Sequence, residues 1–120
     1  MKRKKLKSIS YLKRKADKIF SDYIRHRDTH CYTCRKFLEY NQRQNGHYIS
    51  RKYLALRYDP VNCHTQDVSC NIFLKGNLTL YALHLIEDYG QNVLKDLDRD
   101  KLSPIGDTRS FLMRIIKSYE

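Results

Sequence analysis

At 120 residues the chain has room for one domain and a core of modest size, and its Lys and Arg outnumber Asp and Glu by 24 to 13. The resulting net charge of +11 calls for an anionic partner, nucleic acid first and an anionic membrane surface behind it. The basic start is not followed by the continuous apolar run of a signal peptide, and no stretch approaches the roughly 18 apolar residues of a membrane span, so the expectation is a cytoplasmic protein with reduced cysteines.

Residues 2–18 carry nine Lys or Arg against a single acid, Asp17. Through that charge run Leu6, Ile9, Leu12, Ala16, Ile19, Phe20, Tyr23 and Ile24 at helical spacing, which predicts an amphipathic helix from about Ser10 to Arg27. Its bland role is a solvated face on a packing helix; its functional role is to meet phosphates through Lys4, Lys5, Lys13 and Arg14.

Cys31 to Ser50 is predicted as a turn followed by two short strands, with the polar segment Tyr40 to Gly46 as a hairpin loop. Leu54 to Tyr58 reads as a further strand or a helical turn, and Asp59-Pro60 as a turn. Ser69 is the predicted cap of a helix carrying Cys70, Asn71, Phe73 and Leu74 and stopping near Gly76. A helix over Leu78 to Tyr89 ends at Gly90, a short one follows around Val93 to Leu97, and Asp107 caps a last helix striped by Phe111, Leu112, Ile115 and Ile116. The chain thus divides into a basic helix (1–27), a central core (28–77) and C-terminal helices (78–120) within one domain.

Four cysteines in a reducing compartment point to metal rather than disulfides. Cys31-x-x-Cys34 fits a zinc knuckle, and Cys70 adds a third thiolate. The fourth ligand is open: Asp67-x-x-Cys70 repeats the spacing of the first pair, whereas Cys63 offers the softer donor, and His64 lies in the same stretch. The competing reading of CxxC, a thiol redox site, needs a helix starting at the first cysteine, and the flanking residues are strand-like. His84, on a helix among apolar neighbours, reads as a packed, hydrogen-bonded histidine. Of the ten tyrosines, Tyr48 and Tyr58 lie nearest the candidate site and are the two to test for contact with an unstacked base.

The runs YIRHRDTHCYTC, NGHYISR, LRYDPVN, HTQ and CN, and Lys75-Gly76-Asn77-Leu78 with Tyr81, resemble in their order the lambdoid phage NinG/Rap recombination family, over about two thirds of the chain from Tyr23 to Leu97. The resemblance implies an α+β fold with a small zinc-stabilised ββα-metal core (an HNH, or His-metal, finger) flanked by N-terminal and C-terminal helices. It also implies a metal-dependent endonuclease acting on branched recombination intermediates such as four-way junctions, in a phage-infected or prophage-carrying host cell. His47 then matches the general base, Asn62 the central residue that orients it, and Asn71 a ligand of the catalytic Mg2+ or Mn2+. Cys31, Cys34 and Cys70 match structural Zn2+ ligands, with the family's fourth cysteine falling on Asp67. Arg51, Arg57 and Lys75, with Lys13 and Arg14 on the first helix, are the expected DNA contacts, and a two-fold junction is compatible with a homodimer through the helices after Leu78. One departure stands out: Gly46 occupies the position of an acidic metal ligand, so either another carboxylate binds the magnesium, Asp67 if Cys63 completes the zinc site or else Asp59, or the ion is held loosely by Asn71, water and substrate phosphate. That departure favours the alternative function, a catalytically inactive zinc-stabilised DNA-binding module.

Overall fold

The computed structural model describes residues 5–120; Lys4 lies outside them. It is a mixed α+β fold: five helices, α1 (Ile9–Arg27), α2 (Leu54–Arg57), α3 (Leu78–Tyr89), α4 (Val93–Asp100) and α5 (Thr108–Tyr119), surround a two-stranded sheet of β1 (Gln44–His47) and β2 (Cys63–Gln66) among the described residues. None of these helices is long and apolar enough to cross a membrane.

The long first helix starts where the Ser8 hydroxyl accepts from the Tyr11 N–H, and its last turn gathers Arg25, His26 and Arg27 at the negative end of the helix dipole. Its apolar stripe Leu12, Ala16, Phe20 and Ile24 is buried against Leu112 and Ile116 of α5, together with Tyr58 and Cys63. Phe20 meets Tyr58 and Tyr119 edge-on, with ring centroids 5.8 and 4.9 Å away. The C-terminal segment is therefore divided: α5 returns to the N-terminal helix, while α3 and α4 pack with Tyr32 and Leu56 into a second core of Tyr81, Leu85, Val93 and Leu97. Asp107 caps α5 by accepting from the Ser110 N–H, and Gly90, at φ +98°, ends α3 as its place in the sequence predicts.

The strands lie between these two cores. They pair antiparallel with Gln44 opposite Gln66, Asn45 opposite Thr65, Gly46 opposite His64 and His47 opposite Cys63. Because side chains alternate along a strand, Asn45, His47, Cys63 and Thr65 face α1, where the Thr65 hydroxyl donates to the Ile24 carbonyl. Gln44, Gly46, His64 and Gln66 face the other side, where the His64 ring stacks on Tyr32 at 3.8 Å and its two nitrogens bond the hydroxyls of Tyr81 and Tyr89. Burial, with Arg27 nearby, pushes the His64 pKa down to about 4, so the ring is a neutral part of the core.

Local elements depart from the sequence expectation between Cys31 and Phe73. The two strands are not neighbours in sequence: the second comes after the Asp59-Pro60 turn, and part of the expected hairpin loop is β1 itself, preceded by a 3-10 turn at Tyr40–Gln42. Polar residues build this strand because its partner strand is polar too and both are buried by helices rather than by apolar alternation. Leu54–Arg57 takes the helical one of its two expected forms, whereas the expected helix after Ser69 is only a five-residue turn, Ser69–Phe73, with the wide hydrogen bond from the Leu74 N–H to the Ser69 carbonyl (2.8 Å).

Since Phe20 is the hub joining α1, α5 and Tyr58, Phe20→Ala should cost about 3–5 kcal/mol. Urea unfolding followed by far-ultraviolet circular dichroism measures it; a loss below about 1 kcal/mol would mean that α5 does not lean on α1 as described.

Candidate functional site

Two sites emerge, one on each side of β1. The first is a cluster of Cys31, Cys34, Asp67 and Cys70, whose sulfur and carboxylate ligand atoms all lie within 4.8 Å of one another. The knuckle is folded by two backbone bonds, from the Arg35 N–H to the Cys31 carbonyl (2.9 Å) and from the Cys31 N–H to the Lys36 carbonyl (2.8 Å), with Arg35 in the left-handed region at φ +68°. Asp67 divides its carboxylate between two tasks. Its Oδ1 accepts from the Cys70 N–H at 2.8 Å and so caps the turn, while Oδ2 accepts from the Cys34 thiol at 3.4 Å. Burial opposes its ionisation, yet these hydrogen bonds hold Asp67 below the usual carboxylate range.

Three thiols and one carboxylate at this spacing fit a tetrahedral divalent ion of zinc's character. Burial foremost, with Cys31 and Asp67 alongside, pushes the Cys34 thiol up to about 12; a divalent ion among the four would reverse that cost. Asn77 Nδ2 donates to the Cys70 sulfur at 3.7 Å, a contact of the kind that orients a metal-bound thiolate.

Of the two candidates for the fourth position, Asp67 joins the cluster and Cys63 does not. Cys63 is fully buried in the core between α1 and α5, its thiol directed at the Arg57 carbonyl 3.6 Å away. Burial raises its pKa well above the ordinary value, leaving an inert neutral thiol. His64, too, is spent in the Tyr32–Tyr81–Tyr89 core, and His84 donates from Nδ1 to the Tyr32 carbonyl at 2.7 Å.

The second site is a cleft of about 530 Å³ between α1 and β1, lined by His47, Asn45, Asp17, Tyr58 and the cations Arg14, Lys18, Arg25, Arg43, Arg51 and Arg57. His47 Nε2 lies 2.9 Å from the Arg57 carbonyl. A carbonyl only accepts, so Nε2 carries the proton and Nδ1 keeps the lone pair; Nδ1 has no hydrogen-bond partner among the described residues. Burial, helped by Arg51 and Arg57, lowers the His47 pKa below its ordinary value, with the bond to the carbonyl opposing.

The Asn62 side chain makes no hydrogen bond to His47. Its buried amide clamps the connecting loop instead: Oδ1 accepts from the Ile49 N–H (2.8 Å), and Nδ2 donates to the carbonyls of Ile49 (3.0 Å) and Leu56 (3.2 Å). Leu56 immediately precedes the residue whose carbonyl holds the histidine, so the orientation is transmitted through α2.

Arg57, expected to meet phosphate, is instead committed internally. Its Nε and Nη2 grip Asp17 at 2.8 and 2.6 Å, and its side chain is only 12% exposed. Asp17 also accepts from the Tyr58 hydroxyl (2.8 Å) and from Arg51 Nη2 (3.0 Å). Burial works against ionisation of Asp17, and these donors still hold it below the carboxylate range. Tyr58 is thereby buried and engaged, which takes it away from base stacking, and half-buried Tyr48 packs on Tyr81 with ring centroids 5.5 Å apart. Arg51 keeps a side chain 59% exposed, and Arg14 and Lys75 are exposed, whereas Lys13 is half-buried.

The expected magnesium ligands do not converge on His47. Gly46 lies on the opposite strand face, where a Cβ would sit 1.9 Å from the Gln66 Oε1; Gln66 is buried and donates to the Thr33 hydroxyl and the Gly76 carbonyl. The Asn71 amide donates to Gln44 on that same far side. Asp67 belongs to the cysteine cluster, and Asp59 caps its own turn by accepting from the N–H groups of Val61 and Asn62. The one carboxylate in the cleft is Asp17, which the sequence showed only as a lone acid in a basic run.

A small α+β domain with a cysteine–carboxylate cluster able to hold a metal ion, and a basic cleft around a buried histidine, is the class defined by these observations. The family model described as bacteriophage lambda NinG protein matches residues 1–120. The chain is 34% identical over 96 residues to a protein ninG of Escherichia phage 933W (78% of this chain, 47% of that protein) and 35% identical over 98 residues to one of Salmonella phage P22 (79% and 48%). A protein ninG of Escherichia phage lambda is 33% identical over 96 residues (78% and 47%). The chain belongs to the NinG family, and it spans about half the length of these curated relatives. No solved structure matches it.

Two outcomes test this description. Purified protein should carry about one equivalent of zinc by elemental analysis, kept in Cys63→Ser and lost in Asp67→Ala and Cys70→Ser; zinc lost from Cys63→Ser alone would exchange the assignments. Gly46→Ala should destabilise by about 1–3 kcal/mol in chemical denaturation, because Gln66 must leave its buried partners, and Gln66→Ala in the same chain should recover part of that loss.

Proposed function

We propose that the chain is a structure-specific DNA endonuclease that hydrolyses a phosphodiester of branched DNA, with His47 as general base. The observation that carries this reading is the hydrogen bond from His47 Nε2 to the Arg57 carbonyl, which fixes the tautomer and leaves the basic Nδ1 for a water in a cleft lined by cations. A base with a lowered pKa is neutral and ready at pH 7. Arg51, exposed at the cleft, meets the scissile phosphate and offsets the charge that builds on it during attack. Asp17 acts one step back, by holding Arg57 and so the carbonyl behind the histidine. Arg14 and Lys18 along α1 give the sequence-independent attraction to the backbone, which weakens steeply with salt.

Cys31, Cys34, Asp67 and Cys70 would hold zinc in a structural role in this reading, where the ion would fix the knuckle against the turn that follows β2. The described residues do not form a ready-made magnesium cage beside His47, so the proposed Mg2+ or Mn2+ would be held largely by DNA phosphate and water, and would supply charge neutralisation at the phosphate oxygens. Selectivity for branches rests in this reading on DNA shape and deformability rather than base reading, since the sequence offers no recognition-helix motif.

A second reading, a zinc-stabilised module that binds DNA without cutting it, draws on Gly46 and on the neutralisation of Asp17 by two arginines. One assay separates the two. On a labelled four-way junction with magnesium, wild-type protein should produce cuts that EDTA abolishes and that His47→Ala lowers by about 10²–10⁴-fold with little change in binding. The rate should rise with pH through a midpoint below the ordinary histidine value near 6.5, as His47 loses its proton at a depressed pKa. Binding without product at any pH would leave only the module.

A further inference from the structure

Ile72, Phe73 and Leu74 are three consecutive large apolar side chains standing in solvent, and Phe73, at 76% exposure, is the most exposed aromatic among the described residues. Val68 and Leu78 extend the patch on either side. A run of this kind works against solubility and folding unless something covers it in use.

The turn that presents it is held rigidly at its base. Cys70 anchors it in the cysteine–carboxylate cluster, Asn71 donates to Gln44 at 2.9 Å, and the Gly76 N–H donates to the Cys70 carbonyl at 2.8 Å while its own carbonyl accepts from buried Gln66. The chain then reverses through three left-handed residues, Lys75 (φ +51°), Gly76 (+93°) and Asn77 (+48°). Two of these are not glycine and are strained, so the projecting tip is a maintained shape rather than a frayed loop.

The surroundings say what kind of partner it meets. Lys75 is exposed at the tip, and Lys36 shares a groove with Val68 and Ser69 at its base. Gln44, the anchor of Asn71, also lines the basic cleft, three residues along β1 from His47, a span of about 10 Å. Apolar side chains flanked by cations, on a turn anchored to a strand that also lines a phosphate-seeking cleft, suit a polyanion with exposed ring faces. Resting on the DNA reading above, we propose that the Ile72–Leu74 turn is a wedge whose Phe73 inserts against unstacked bases at the branch of a DNA junction. The wedge offers those bases an apolar face and so favours branches, whose bases are already partly unstacked, over intact duplex, where unstacking must be driven.

Binding of the full chain, with magnesium omitted and calcium in its place to prevent cutting, is measured on a four-way junction carrying 2-aminopurine at the branch and on a duplex of the same sequence. Wild-type protein should raise the fluorescence of the branch base. Phe73→Ala should abolish that rise and weaken junction binding about tenfold, with duplex binding within twofold and the circular dichroism and zinc content unchanged; Phe73→Trp should keep both signals. An unchanged junction-to-duplex ratio in Phe73→Ala overturns the wedge. So does a variant whose only change is from dimer to monomer in sedimentation, which would make the patch a contact between copies of the chain. Because the readout is binding, an inactive or unaffected His47→Ala bears on the hydrolytic reading alone, whereas a wild-type chain that binds neither DNA at low salt overturns both.

Discussion

The carbonyl of Arg57 is where the molecule is tied together. The Arg57 side chain is gripped by Asp17 of the first helix, its neighbour Leu56 is gripped by the buried amide of Asn62, and its oxygen accepts the hydrogen bond from the His47 Nε2–H. The first helix, the first strand and the residue leading into the second strand thus converge on Arg57 and Leu56. The bidentate pairing of Asp17 with Arg57 is half-shielded from water, and removing either partner leaves a charge in a place built for two. This is why the basic helix belongs to the candidate site structurally as well as electrostatically.

The same arrangement explains the density of polar residues in a strand pair that has a helical layer on each side. Asn62, Thr65 and Gln66 are completely buried, yet they bond to backbone groups that would otherwise be stranded in the loops around them. Small size leaves little apolar area to spare for fixing such loops, and amides with two donors and an acceptor can each hold several backbone groups. Gly46 fits this economy: the absent side chain makes room for Gln66, whose amide links the knuckle to the turn before α3.

Much of the helical frame was legible in the sequence because its signals are local. The stripe from Leu12 to Ile24, the Asp107 cap and the Gly90 stop each act within a few residues, and each element appears where those residues put it. The cysteine cluster was legible to three of its four members, and the choice between Asp67 and Cys63 turned on a fact no spacing contains: residue 63 faces α1, and residue 67 lies past the end of β2 and faces the knuckle. Asp17 was hidden for a related reason. In sequence it is one acid among cations, and its meaning depends on α1 crossing the sheet so that Arg51, Arg57 and Tyr58 surround it. The strands were the least legible part, since tertiary burial of polar side chains overrides the alternation that ordinarily betrays a strand.

Asp67 in place of a fourth thiol also changes the chemistry of damage. Three sulfurs cannot be consumed as pairs: joining any two of them leaves the third unmatched, while the carboxylate, inert to oxidants, still caps the turn at Cys70. An oxidative event at the knuckle would thus cut one anchor of the projecting turn and spare another, so the loss of a metal ion and the loss of that turn's shape are separable events in this chain.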